Sequence, residues 1–248
     1  MPAVAHPSRA ADLATVGPPE RFWRVSSWHD VFDPPSPASP VDDACENDDA
    51  HRWDDPEGRY RTLYCASQPE GALGECLGDF ALNAEAVRDI DAFLEGEADV
   101  RFDEDFNTGL TEADVDGFQW QLADRAPLPG SRFIDIDAPR TYVAIARQAA
   151  PVLVRYGLKR FDRRALLDER RNLTRQLAGI LRARVTGPDG SLIADGLRFT
   201  SRLPPAWESW ALWEPLPLAT GNVSAEPVTI HTPALRKAAS LLGVALLG

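Results

Sequence analysis

A cation, a phenol and a carboxylate, Arg52, Tyr64 and Glu75, fall within one stretch, His51 to Leu77, HRWDDPEGRYRTLYCASQPEGALGECL. A guanidinium pairs with phosphate or carboxylate oxygens, an aromatic ring stacks, and a carboxylate stabilises developing positive charge. Together they suit a charged, aromatic metabolite. Taken singly, each has a plainer role: a surface ion pair for Arg52, a half-buried strand position for Tyr64, an exposed helix position for Glu75. Ser201, far downstream, reads as a strand-end hydroxyl.

Common site motifs are missing. The chain has no G-x-G-x-x-G, Walker loop, G-x-S-x-G, H-E-x-x-H or C-x-x-C, so the usual nucleotide-binding and hydrolase machinery is excluded. The acidic run DPPSPASPVDDACENDDA lacks the spacing of a calcium loop and reads as solvated surface; no metal is expected. His6, His29, His51 and His231 are scattered, and Trp207, Trp210 and Trp213 read mainly as core packing.

The elements that must position these residues are legible in outline. Residues 1–20, with three prolines and no periodicity, predict a flexible N-terminal arm, and a single domain is expected over 21–248. RFWRVSSW predicts a strand with Trp23 and Val25 toward the core and Arg24 on the other face. Residues 33–50 and about 95–118 read as loop insertions. RYRTLYCA is strand-like, and Ser67 is a candidate cap for a short helix over 71–80 that buries Ala72 and Cys76. Beyond a helix opening at Asn83, RFIDI predicts a strand and Pro139 to Tyr156 a helix closed by Gly157. Asp162 caps the longest expected helix, about Arg163 to Val185. GLRFTS, SWALW and Val228 to His231 predict strands, and Ala234 to Leu242 a last helix. Strands and helices interleave without a regular βα period, so the fold class is α+β, with a mixed central sheet flanked by helices.

Charge and cysteine usage bound the partners. The 248 residues are 44% hydrophobic and carry a net charge of −12, which argues against nucleic acid and anionic membranes, since such binding rests on Lys and Arg neutralising phosphates. A few converging arginines can still hold a small anion, because a pocket's field is set by its nearest charges. Three unpaired-looking cysteines fit a reducing, cytoplasmic setting, and neither a signal peptide nor a membrane span is expected.

Several short pieces, in order, resemble the RES-domain family, named for its Arg, Glu and Ser. They are Arg52-Trp53, Thr62 to Ala66 (TLYCA), Ala72 to Glu75 (ALGE), Phe133 to Asp135 (FID), Arg171 to Ala178 (RNLTRQLA), Gly196 to Arg202 (GLRFTSR) and Trp210 to Trp213 (WALW). The chain departs from the pattern at His51, where the family has Gly, at Asp54, where it has Asn, and at Phe199, where it has Tyr.

The resemblance implies a fold similar to ADP-ribosyltransferases and an enzyme that consumes NAD+ as substrate, by hydrolysis or with phosphate as co-substrate, and with no bound cofactor. It implies a toxin neutralised by a helical antitoxin that carries a DNA-binding domain. Carried onto this sequence, Glu75 stabilises the oxocarbenium-like ribose, Arg52 holds pyrophosphate or phosphate, Tyr64 stacks on nicotinamide, and Ser201 orients a hydroxyl or the carboxamide; Arg24 shares or replaces the role of Arg52. Two further readings stay open on the same pocket: ADP-ribosyl transfer to a macromolecule, and a catalytically weak module that binds NAD+ or a partner.

Overall fold

A computed structural model of the chain describes residues 12–27, 30–42, 50–78, 80–81, 109–159, 161–162, 165–166, 170–203, 207–221 and 223–248. Its centre is an eight-stranded sheet in the order β1-β6-β7-β8-β3-β2-β5-β9. In chain order the strands of that sheet are β1 (Thr15–Val16), β2 (Phe22–Ser26), β3 (Thr62–Ala66), β5 (Gln121–Arg125), β6 (Phe133–Asp135), β7 (Gly196–Thr200), β8 (Glu208–Trp213) and β9 (Ala225–Pro227). β6 and β7 run parallel and the other neighbours antiparallel, so the sheet is mixed and the fold is α+β. β4 (Gly109–Thr111) pairs in parallel with β10 (Ala245–Leu247) in a separate ribbon.

β8 shows why the sheet is buried on both sides. In ESWALW, Ala211 and Trp213 enter one core, with Ile134 and Leu197 of the sheet beneath α3 (Pro139–Gln148), α4 (Ala150–Arg155) and α5 (Arg171–Val185). The alternate residues Trp210 and Leu212 enter the opposite core with Phe22, Leu63 and Phe133. The run of four apolar residues from Trp210 to Trp213 is what burial on both faces demands. A third core joins Leu73 and Leu77 of α1 (residues 69–78) to Trp207, to Val115 of α2 (Glu112–Phe118) and to Leu235 of α6 (Pro233–Leu242).

The structure corrects several sequence expectations. Residues 12–20 are not a loose arm: Leu13 is buried, Thr15 and Val16 pair with Ile134 and Phe133, and residues 1–11 lie outside the described residues. The two β-branched residues cover what would otherwise be the exposed edge of β6. Residues 109–118 are not an insertion but β4 and α2; 95–108 lie outside the described residues. Leu110 and Val115 bury there, and Thr111 with Asp114 forms a capping box, the local signal that the acidic composition hid. Of the other proposed insertion, 33–42 and Ala50 are described and hold no helix or strand of more than a single bridge, while 43–49 lie outside; the helix expected after Asn83 does too.

On β2 the core residue is Phe22, with Trp23 and Val25 only half-buried. The helix expected from Pro139 to Tyr156 divides into α3 and α4 at Ala149–Ala150. Pro151 lacks the N–H that would continue the ladder, and its ring crowds the preceding turn. The long helix is described from Arg171; part of its expected start lies outside the described residues. Among the described residues no helix is long and apolar enough to cross a membrane.

Candidate active site

The site begins where the central sheet comes apart. β2 and β3 share one registered pair, Trp23↔Ala66, and the antiparallel ladder does not continue past it. Arg24, Val25, Tyr64 and Cys65, which would have carried it on, instead line a cavity of about 380 Å³. The opened ladder leaves main-chain groups needing partners. Arg24 answers one of them: its Nη1 donates to the Tyr64 carbonyl at 3.2 Å. Its Nε is buried with no hydrogen-bond partner among the described residues. Burial pushes the guanidinium below the usual arginine value, partly opposed by the polar groups around it; it stays a cation on the cavity wall.

Helix α1 presents Glu75 to the same space because its other side is nearly bare. Gly71 and Gly74, one turn apart, lie against Trp207, and Gly78 lies against Leu203. A Cβ on Gly74 would fall inside the indole, 1.9 Å from Cζ3, so only glycine permits this approach. With Leu73 and Leu77 buried, Glu75 is left facing outward over the cavity, beside Cys76, which lines the wall rather than the core. Ser67 does not cap this helix. Its hydroxyl donates to Glu208 and accepts from Trp210 Nε1, tying the start of α1 to β8.

From the far end of β7, Ser201 reaches Glu75 across 126 positions of sequence. The Leu203 N–H donates to Ser201 Oγ at 3.1 Å, so the hydroxyl proton is directed onto Glu75 Oε1. Ser201 is 3% exposed, and its partner carboxylate is thereby held by a buried donor. Ordering one carboxylate in this way before a ligand arrives is the preorganisation that charge stabilisation requires.

Arg52 sits in a turn fastened from several sides. The Tyr64 hydroxyl accepts from Trp53 N at 2.8 Å and donates to Asp54 Oδ1 at 3.0 Å, while His51 N donates to Asp54 Oδ2 at 2.7 Å. Asp54 thus accepts one bond on each carboxylate oxygen, a pair that an amide would satisfy only in part. Burial first, then the neighbouring Asp54 carboxylate, pushes the Tyr64 phenol well above its ordinary value. Its hydroxyl is committed to the turn, and only its ring, 5.1 Å from the His51 ring, is open to a ligand.

Helix α5 clamps the chain leading into that turn. Arg171 donates to the Ala50 carbonyl, Asn172 to the Asp42 carbonyl, and fully buried Arg175 to the carbonyls of Ser39 and Asp55. Three residues of one helix therefore hold main-chain carbonyls of the described residues 39–42 and 50–55. Arg52 itself donates to the Leu166 carbonyl.

A second cavity of about 300 Å³ adjoins the first. His51, Arg52, Glu75 and Phe199 line both, so the two cavities share a border that includes Glu75. The first is walled largely by apolar and aromatic groups, the second by Asp137, Arg171, Thr200, Ser201 and Arg202. All five residues singled out in the sequence border this paired space. Arg24 and Tyr64 face the first cavity, Ser201 the second, and Arg52 and Glu75 both.

His51, Asp137 and Arg171 were not singled out for the site. Proximity to Arg52 was the one signal for His51. Asp137, two residues before a proline that opens a helix, looks in sequence like a turn residue. Arg171 reads in sequence only as part of a helix motif.

No family model and no curated protein matches the chain. Among solved structures it is similar to the crystal structure of the M. tuberculosis MbcT-MbcA toxin-antitoxin complex, with a TM-score of 0.48 and 11% sequence identity over 95% of this chain and 95% of that one.

Proposed function

We propose that this chain cleaves the nicotinamide–ribose N-glycosidic bond of NAD+ and passes ADP-ribose to phosphate or water. The observation that carries the reading is the Ser201-to-Glu75 hydrogen bond at the shared border of two neighbouring cavities, one largely apolar and aromatic, the other rich in guanidinium and hydroxyl groups. Each is at or near the lower end of the volumes that small-molecule sites occupy, and a dinucleotide needs both. In this reading the nicotinamide ring lies on the Tyr64 ring in the first cavity, with the Arg24 side chain on the wall. The ribose sits at Glu75. Arg52, with Arg171 beside it, faces the pyrophosphate.

The reaction is heterolytic and redox-neutral. The C–N bond breaks with its electron pair leaving on nicotinamide, positive charge develops on the ribose ring, and an oxygen of water or phosphate then bonds to the anomeric carbon. Water loses a proton in that step. Glu75, held by Ser201 and lacking a cation partner among the described residues, places negative charge where the oxocarbenium forms. By depleting NAD+ the chain would act as the toxin of a pair, with a helical antitoxin carrying a DNA-binding domain as its partner.

The test is nicotinamide release from NAD+ by the purified chain, with and without phosphate. Release is expected, increased by phosphate if the enzyme is a phosphorylase; no release in either condition overturns the proposal. Glu75→Gln is expected to lower turnover on the order of a hundredfold or more, the scale of losing an electrostatic stabiliser, without unfolding the chain, because Glu75 is exposed. Labelled ADP-ribose found covalently on protein or nucleic acid would indicate transfer instead, and calorimetric binding of NAD+ without turnover a binding module.

A further inference from the structure

The end of β7 holds a second carboxylate of the cavity that Glu75 borders. Thr200 and Ser201 are consecutive, and each grips one acid of the second cavity. Ser201 Oγ is on Glu75, while Thr200 donates to Asp137 through its backbone N at 2.8 Å and its Oγ1 at 2.7 Å. Both Thr200 bonds end on Asp137 Oδ2, as does a third from Arg198 Nη1 at 3.2 Å. Among the described residues nothing donates to Oδ1. Asp137 lines the second cavity, and its side chain is 24% exposed.

A carboxylate with three donors on one oxygen is fixed in orientation, and its second oxygen is left as an aimed acceptor. Arg198 is itself shared among Asp135, Asp137 and Glu208, so the whole group is braced between β6, β7 and β8. Few ligand groups suit such an acceptor. A phosphate is repelled, an aromatic ring has no use for it, and a hydroxyl donates to it well. Glu75 likewise has Oε1 taken by Ser201 and nothing among the described residues on Oε2. Two aimed acceptor oxygens in one cavity fit the neighbouring hydroxyls of a sugar ring.

Resting on the NAD+ reading, we propose that Asp137 is a substrate-binding residue whose Oδ1 accepts a ribose hydroxyl, and that with Glu75 it selects a ribosyl unit bearing free hydroxyls. Asp137 then contributes to affinity and discrimination, while Glu75 carries the charge stabilisation.

Asp137→Asn is the informative variant. The backbone N–H of Thr200 can only donate, so the new amide must turn its oxygen to Thr200 and present its NH2 to the cavity, replacing an acceptor by a donor without changing shape. Loss of a charged hydrogen bond to substrate predicts a fall in kcat/KM for NAD+ on the order of tenfold to a hundredfold, expressed mainly in KM. An NAD+ analogue lacking the hydroxyls of the nicotinamide ribose is expected to be a poor substrate for the wild type and to lose little further in the variant. Equal losses for NAD+ and the analogue, accompanied by a lowered Tm, mark a purely structural residue and overturn the proposal, as does an unchanged kcat/KM.

Calorimetry with ADP-ribose separates this from the cleavage reading. If the wild type binds ADP-ribose but releases no nicotinamide, cleavage fails and Asp137 is judged by whether Asp137→Asn weakens ADP-ribose binding. If the wild type binds neither NAD+ nor ADP-ribose, both proposals are overturned.

Discussion

Replacing Gly74 with alanine tests whether the approach of α1 to Trp207 sets the position of Glu75. The added Cβ would lie 1.9 Å from Cζ3 and 2.3 Å from Cη2 of the indole, whereas unstrained carbon contacts fall at roughly 3.5–4.0 Å. Ring or helix must give by roughly 1.5 Å. Trp207 is buried in the third core, so its ring cannot swing into solvent, and the helix shares the displacement.

Overpacking of this kind costs about 1–3 kcal/mol, of which the better helix propensity of alanine offsets up to about 1 kcal/mol. For a chain of this size the remainder, up to about 3 kcal/mol, corresponds to a Tm lowered by up to about 12 °C. Activity should suffer more. The carbonyl of Trp207 accepts the Ser201 N–H at 3.2 Å, and Glu75 is the residue after Gly74, so moving α1 against Trp207 pulls the Glu75–Ser201 pair apart. Misplacement by about 1 Å can cost on the order of a hundredfold in rate, which a nicotinamide-release assay reads beside thermal unfolding. Trp207→Leu in the Gly74→Ala background should recover part of the lost stability, because the leucine vacates the colliding ring positions. Full stability and turnover in Gly74→Ala, or strictly additive effects in the double variant, would refute the reasoning.

Arg175→Met removes the buried guanidinium that holds the carbonyls of Ser39 and Asp55. Relief of a buried charge partly offsets the lost bonds, so a net loss of about 1–3 kcal/mol is expected, with faster limited proteolysis between residues 39 and 55; unchanged proteolysis there would exclude a clamping role. Stability is also expected to be flat near neutrality and to fall at alkaline pH. Burial pushes the Cys65 thiol up to about 12 and the phenols of Tyr60 and Tyr64 above their ordinary value. As pH rises the unfolded chain loses these protons first, so the stabilisation is complete below about pH 8 and is lost as pH climbs through the folded values. Denaturant titrations that agree between pH 8 and pH 10.5 would contradict it.

Much of the scaffold was legible because it is written in local periods. SWALW holds four successive apolar residues and reads as a strand whose tryptophans pack in the core. Residue type alone leaves Arg52, Tyr64, Glu75 and Ser201 with plainer roles; it is the resemblance carried by the ordered motifs that singles them out in the sequence. Arg24 entered the same way.

Other features depend on contacts between residues far apart in the chain. No local pattern says that the β2–β3 ladder opens after Trp23↔Ala66, because a missing hydrogen-bond ladder reflects packing elsewhere. The Tyr64 ring and hydroxyl have different fates only because the 51–54 turn folds back onto β3. Asp137 is a turn residue until β6 lies beside β7 and Thr200 captures it. The chain's own letters determined which groups it has and where most of its strands and helices fall. The tertiary structure alone decided that α1 lies close enough to Trp207 to bring Glu75 under Ser201, because that distance belongs to packing between elements and not to the period of either one.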